Sequence, residues 1–436
     1  MSSTRISVRI DAPRDRVYRA FVEANTVAAW MVPTGMTSHV HAFEGREGGA
    51  FRISLTYDAT DAKGKSSAHT DTYHGRFVEL VPGERIVEVM EFETADPGMQ
   101  GEMTMTVTLA DADGDAARTE LVAVHDGLPP GVSAADNEMG WRISLGKLAK
   151  LAEGNAALHV EASGSGDPVV LLHSSGLSGR QWRRLAATFV EKGHRAIVPD
   201  LTGHGASPAW PEPKPFSFRE DVAHVSKLLA GGAGGVGGVG GARGAPAHVV
   251  GHSYGAFVAL LAALAVPSSV RSLVLFEPVA FGALDPTSDA EARAELTKVD
   301  SSWGWTAEAH ERWLRGFVEY WGGEGAWSAL REEARTEFRR VGWVLREGVQ
   351  SLASDTTPAS AYASLRCPVT LVTGELTPLA ARRVVEQLAA AIPCARSVTI
   401  AGAGHMAPLS HGAEVNAVVL EAVAAATAAS GTATPP

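Results

Sequence analysis

An apolar run, Ala247-His248-Val249-Val250, leads into Gly251-His252-Ser253-Tyr254-Gly255 and then into the small, apolar segment Ala256-Phe257-Val258. This reads as strand, Gly-x-Ser-x-Gly, helix. The pattern suits a serine on a sharp strand-to-helix turn, its hydroxyl clear of the backbone. Gly251 and Gly255 leave room where a side chain would crowd the turn. Ser253 then stands at a helix N-terminus, where free N–H groups favour developing negative charge. A nucleophilic serine is the expectation. The bland alternative is a glycine-tolerant turn with an idle serine.

A chain of 436 residues is long for one core, so two domains are expected. The formal net charge of −11 argues against a general nucleic-acid or anionic-membrane role. The only cysteines, Cys367 and Cys394, suggest neither a disulfide framework nor a metal site. Met1 to Arg9 is polar and charged, unlike a signal peptide, and no apolar run reaches spanning length once glycines and charges are counted. The reading is a soluble cytoplasmic protein without metal or organic cofactor.

The first 153 residues read as strand, helix, several strands and a long helix. Arg5 to Ile10 alternates polar and apolar residues. Asp11 is expected to cap a following helix, with Pro13 in its first turn. Strand-like runs follow at Gly49–Tyr57, Thr72–Leu80, Arg85–Phe92, Glu102–Leu109 and Thr119–Val124. An amphipathic helix from about Ser133 to Leu151 carries Met139, Trp141, Leu145, Leu148 and Leu151 as its apolar set. The order implies an α+β fold, a curved sheet gripping a C-terminal helix. His39, His41, His69 and His74 are scattered and read as solvated or satisfied rather than as ligands.

Ile10-Asp11-Ala12-Pro13 with Val17 and Phe21, Ala29-Trp30, the run Gly45 to Phe51, Gly75 to Pro82 and Gly140-Trp141 resemble the SRPBCC (START-like) superfamily, and within it the activator of Hsp90 ATPase branch. The resemblance implies a cavity between sheet and long helix that takes an apolar ligand, and no fixed catalytic set. Trp30 and Trp141 read as core, though a cavity fold lets one residue be both core and ligand platform.

From about residue 156 strands and helices alternate, which implies a mostly parallel sheet covered on both faces. The strands are Leu158–Ala162, Pro168–His173, His194–Pro199, Val249 onward, Val270–Phe276, Pro368–Thr373 and Ser397–Ala401. Gly231 to Gly244 reads as a flexible loop. His173-Ser174-Ser175-Gly176, Asp200 to Ser207, the Ser253 elbow, Gly374-Glu375 and Gly402-Ala403-Gly404-His405 together resemble the α/β-hydrolase superfamily. The expected domains are therefore 1–153 and 156–430, with a helical cap at about 282–363.

The resemblance makes His405 the base for Ser253, in preference to His411. The acid is less regular. The family's usual aspartate position holds Thr377, so Glu277, at the end of the strand closing at Phe276, is preferred and Glu375 is the alternative. The oxyanion donors are expected to be the N–H groups of Tyr254 and Ser175. Asp200 reads as a loop anchor, and His204 and His252 as structural or pocket-lining. Trp303, Trp305, Trp313 and Trp321 make the cap aromatic, either as its core or as the wall of an apolar substrate pocket. Two functions follow: a serine hydrolase acting on an ester, thioester or carbon–carbon bond of an apolar small molecule, or a binding protein with an inactive hydrolase scaffold. A third joins them, with the N-terminal cavity gathering what the C-terminal site cleaves.

Overall fold

The computed structural model describes residues 2–32, 36–57, 69–153, 157–231, 245–297 and 306–431. The chain forms two compact units, Met1–Asn155 with Pro211–Glu220, and Ala156–Trp210 with Asp221–Pro436. The glycine-rich run at 232–244 lies outside the described residues, as do Trp303 and Trp305.

In the first unit the order is β1 (Ser2–Ile10), α1 (Arg14–Val22), α2 (Ala24–Trp30), β2 (Met36–Phe43), β3 (Ala50–Tyr57), β4 (Thr70–Val81), β5 (Arg85–Phe92), β6 (Met103–Ala112), β7 (Asp115–Leu128) and α3 (Ala134–Ala152). The strands form one antiparallel sheet, β1-β7-β6-β5-β4-β3-β2. Side chains alternate across each strand, so Met103, Met105, Val107 and Leu109 all face inward. They share a core with Leu145, Leu148, Ala149 and Ala152 of α3. Ser133 caps α3 by accepting the Asp136 N–H.

Two expectations are corrected here. The residue preceding α1 is Pro13, with no side-chain cap, because Asp11 lies outside the helix, exposed near Arg118. Met139 is 64% exposed, on the face of α3 turned away from the core. The helix α2 and the edge strand β2 were not anticipated. Trp30 ends α2 as core: it is fully buried, and its indole N–H donates to Ala20 O at 2.8 Å. His41 meets Ser54 Oγ at 2.8 Å and His74 lies beside Glu91 and Glu93, so both are satisfied surface groups.

Glu88 faces inward on β5 between Ile86 and Met90, and burial pushes its carboxyl up to about 7. The folded state therefore binds this proton more tightly than the unfolded chain. Stability is fully present below the unfolded value and falls as pH rises towards 7, by about 3 kcal/mol. Glu88→Gln is expected to flatten that dependence and to raise stability at pH 8 but not at pH 4.5. Urea unfolding at the two pH values checks this.

The second unit runs β8 (Val160–Gly164), β9 (Pro168–Leu172), α4 (Arg183–Glu191), β10 (Arg195–Pro199), α5 (Phe218–Leu229), β11 (Ala247–His252), α6 (Tyr254–Ala265) and β12 (Val270–Phe276). Five helices follow among the described residues: α7 (Ala290–Leu296), α8 (Ala307–Gly322), α9 (Ala326–Ala329), α10 (Glu332–Arg340) and α11 (Gly342–Ala353). The chain ends with β13 (Val369–Gly374), α12 (Leu379–Ala391), β14 (Ala395–Ile400), α13 (Ala407–Ser410) and α14 (Gly412–Gly431). The sheet order is β14-β13-β12-β11-β9-β10-β8, parallel except for β8 against β10. Strands β9, β11 and β13 are buried along their whole length, which is why they read as unbroken apolar runs. After β9 the chain adds β10 on one side and β11 on the other. Such a reversal opens a crevice at the strand C-termini. By length and composition alone α14 could cross a membrane, contrary to the sequence reading. Here its Val415, Val419, Ala422 and Val423 belong to the core of the second unit.

Candidate active site

Ser253 sits between β11 and α6 at φ 54° and ψ −115°, a strained conformation for a non-glycine residue. Its N–H donates to Phe276 O at 2.8 Å, which ties the turn to β12. The flanking glycines are there for space. A Cβ on Gly251 would lie 2.5 Å from the Ala256 backbone, and one on Gly255 would lie 2.5 Å from the carbonyl oxygens of Leu172 and His173. Ser253 lines a cavity of about 680 Å³ together with Ser175 and residues of the cap.

Glu277 follows β12, also at positive φ, 44°. It is fully buried, and its Oε2 lies 2.6 Å from His405 Nδ1. Gly374 N and Thr373 Oγ1 donate to Oε1 at 2.7 and 3.0 Å, and Thr377 Oγ1 donates to Oε2 at 2.5 Å. Burial alone would raise this carboxyl. The His405 pairing and the hydrogen bonds from Gly374 and Thr377 outweigh burial and hold it below its ordinary value. Glu375, by contrast, is exposed and accepts the Gly402 N–H at 2.8 Å. His411 ends α13, bonded to Ser410 Oγ. Glu277 and His405 are thus brought together, and Glu375 and His411 stand apart from them. Ser253 Oγ makes no hydrogen bond among the described residues; such bonds often form only when substrate enters.

The loop after β9 is held by two buried imidazoles. His173 Nε2 accepts the Leu201 N–H at 2.9 Å, so its Nδ1 donates to Ser174 O. His204 Nε2 accepts the Gly176 N–H at 3.1 Å, so its Nδ1 donates to Thr202 O. Burial lowers both, His204 to about 4, which keeps them neutral for these roles. The Ser174 N–H is taken by Gln181 Oε1 at 3.1 Å. The Ser175 N–H between them makes no hydrogen bond among the described residues, and Ser175 lines the cavity. Asp200 accepts the N–H groups of Gly179 and Ala206, as a loop anchor would.

Gln181 and Asp221 were not anticipated. Gln181 Nε2 donates to His252 Nδ1, and His252 Nε2 donates to the His405 carbonyl at 2.9 Å. One chain of side chains therefore joins the Ser174 loop to the His405 loop. Asp221 Oδ2 accepts the Tyr254 hydroxyl, while its Oδ1 accepts two bonds from Thr202. No sequence signal marks either residue, since Gln181 reaches His252, 71 positions on, and Asp221 reaches Tyr254, 33 positions on.

Of the cap tryptophans, Trp321 lines the cavity and lies over the His405 ring, centroids 4.0 Å apart. Of the two alternatives Trp313 takes the core: it is buried, stacked on Phe317 at 5.6 Å and grouped with Leu314, Trp327 and Phe338. Trp303 and Trp305 lie outside the described residues.

Residues 169–418 match the model of the alpha/beta hydrolase family. The chain belongs to that family. Residues 11–153 of this hydrolase match the Activator of Hsp90 ATPase homolog 1-like model, so the first unit is an SRPBCC-like domain. The hydrolase is 32% identical over 262 residues to a pimeloyl-[acyl-carrier protein] methyl ester esterase of Chromobacterium violaceum, covering 58% of this chain and 93% of that protein. It is 34% identical over 162 residues to Lipase LipV of Mycobacterium tuberculosis, covering 34% of this chain and 56% of that protein. A solved structure of a putative non-heme bromoperoxidase, BpoC, from Mycobacterium tuberculosis H37Rv shares 23% identity at a TM-score of 0.46, over 63% of this chain and 97% of that one.

Proposed function

We propose that this hydrolase cleaves carboxylic esters of apolar small molecules through Ser253, His405 and Glu277. The observation that carries the reading is the buried Glu277–His405 pair at 2.6 Å. A carboxylate on Nδ1 leaves the other ring nitrogen free to take the Ser253 proton. Ser253 Oγ would attack the ester carbonyl while His405 accepts its proton. The N–H groups of Ser175 and Tyr254 would hold the oxyanion. His405 would then protonate the leaving alcohol, and water activated by the same imidazole would release the acid. Val279, Phe281, Leu296, Phe317 and Leu352 line the cavity and favour an apolar acyl or alcohol group. The methyl ester esterase among the relatives makes an ester the first substrate to test rather than a thioester or carbon–carbon bond.

The rival reading, an inactive scaffold that only binds, rested on Thr377 standing where the family has its acid. Thr377 donates to Glu277 instead, which favours the enzyme. With p-nitrophenyl esters, kcat/KM is expected to rise at least tenfold from acetate to octanoate, and a preference for acetate would overturn the apolar reading. In the first unit, a cavity of about 540 Å³ between the sheet and α3 is read as a site for an apolar ligand.

A further inference from the structure

His405 is 1% exposed, so a positive charge on its ring meets almost no water. The reaction proposed above puts that charge there twice, as Ser253 attacks and again as water releases the acid. Glu277 answers it at one edge of the ring, through Nδ1 at 2.6 Å. The faces of the ring need an answer of their own, because a charge taken out of water and left uncompensated is costly. One ring neighbour is His252, centroids 5.1 Å apart. Burial, and then the charge of His405, hold His252 well below its ordinary value, so it is neutral. It adds no repulsion, and it supplies no negative charge.

The other ring neighbour is Trp321, in the last turn of α8. Its ring lies over that of His405, centroids 4.0 Å apart and planes 32° apart. Tyr320 meets the indole edge-on at 4.7 Å, and the indole packs against the cluster of Trp313, Leu314 and Phe317, so it has a fixed seat. An aromatic face is partly negative and attracts a cation within about 6 Å of its centroid. A neutral imidazole gives that face no charge to attract, so the gain arises only once His405 takes the proton. Interactions that strengthen in this way are the ones that speed a reaction. A leucine at 321 would exclude water as well as the indole does and leave the charged face unanswered. Stacking on a face also leaves uncovered the ring edges, where both nitrogens lie.

We propose that Trp321 is a positioning residue of the hydrolase reaction as well as a wall of its cavity: its π face stabilises His405 in the protonated form. The inference rests on the reading of Ser253, His405 and Glu277 as the reacting groups.

The test uses the full chain and p-nitrophenyl acetate, whose small acyl group asks little of an apolar wall. Trp321→Leu keeps an apolar cover and removes the π face. It is expected to lower kcat by about three- to thirtyfold and to leave KM within about twofold, as loss of an interaction made only in the transition state does. Trp321→Phe returns a π face and should recover most of that loss. Growth on 5-fluorotryptophan weakens the negative face of every indole with little change of shape. It should lower kcat of the native chain and leave that of Trp321→Phe unchanged, a comparison that holds even if the leucine variant fails to fold. A Trp321→Leu kcat within about twofold of native would overturn the role of Trp321. So would a fluorotryptophan effect that is absent from the native chain or equal in the two chains. Either result leaves Ser253, His405 and Glu277 in place. Unchanged turnover in Ser253→Ala would instead overturn the reading on which the inference rests.

Discussion

Ser253→Ala is expected to lower ester turnover by about 10⁴- to 10⁶-fold, to the residual rate left by binding and the oxyanion donors. The wild-type chain should take one fluorophosphonate adduct by intact mass, and the variant none. The size follows from the chemistry: alanine removes the atom that forms the acyl-enzyme, and nothing else in the elbow can replace it. The fold should tolerate the change, because the elbow is held by the Ser253 backbone N–H on Phe276 and by its glycines rather than by the hydroxyl. An adduct retained in Ser253→Ala would put the nucleophile elsewhere.

The second large effect separates the two carboxylates. Glu277→Gln is expected to lower kcat by about 10³- to 10⁴-fold, while Glu375→Gln should change it only a few-fold. A glutamine at 277 can still meet His405 but cannot stabilise its protonated form, and the pairing can favour the wrong tautomer. It also sets an amide among three donors, Gly374 N, Thr373 Oγ1 and Thr377 Oγ1, that now converge on a carboxylate. Glu375 only braces the Gly402 turn. The Glu277 carboxyl is held below its ordinary value, so it contributes stability that is present above the unfolded pKa and lost as pH falls through the folded one. The stability difference between wild type and Glu277→Gln should therefore shrink under acid. A loss of turnover in Glu375→Gln equal to that in Glu277→Gln would overturn the assignment.

Much of the architecture was legible because it is written in local patterns. The strand Val270–Phe276 has the bounds that its apolar run predicts. What was missed carries little pattern. The strand β2 lies at the sheet edge, with Thr37, Ser38, His39 and His41 among its eight residues and no fully buried position. The helix α2 is seven residues long, too short to establish a helical period. Met139 was misassigned because composition cannot say which side of a helix its neighbours cover.

By itself the sequence determined two domains of known class, a serine at a strand-to-helix turn and a histidine on a late loop. Each rests on residues adjacent along the chain, where sterics and hydrophobic period act directly. Tertiary structure decided the rest. It paired Glu277 with His405, 128 positions apart, and set Thr377 as a hydrogen-bond donor to Glu277. It laid Trp321 over His405 and sank Trp313 into the cap core. These are meetings between distant segments. Strand register and packing set them, and a hydrogen bond that needs its partner within a few tenths of an ångström has no counterpart in residue order.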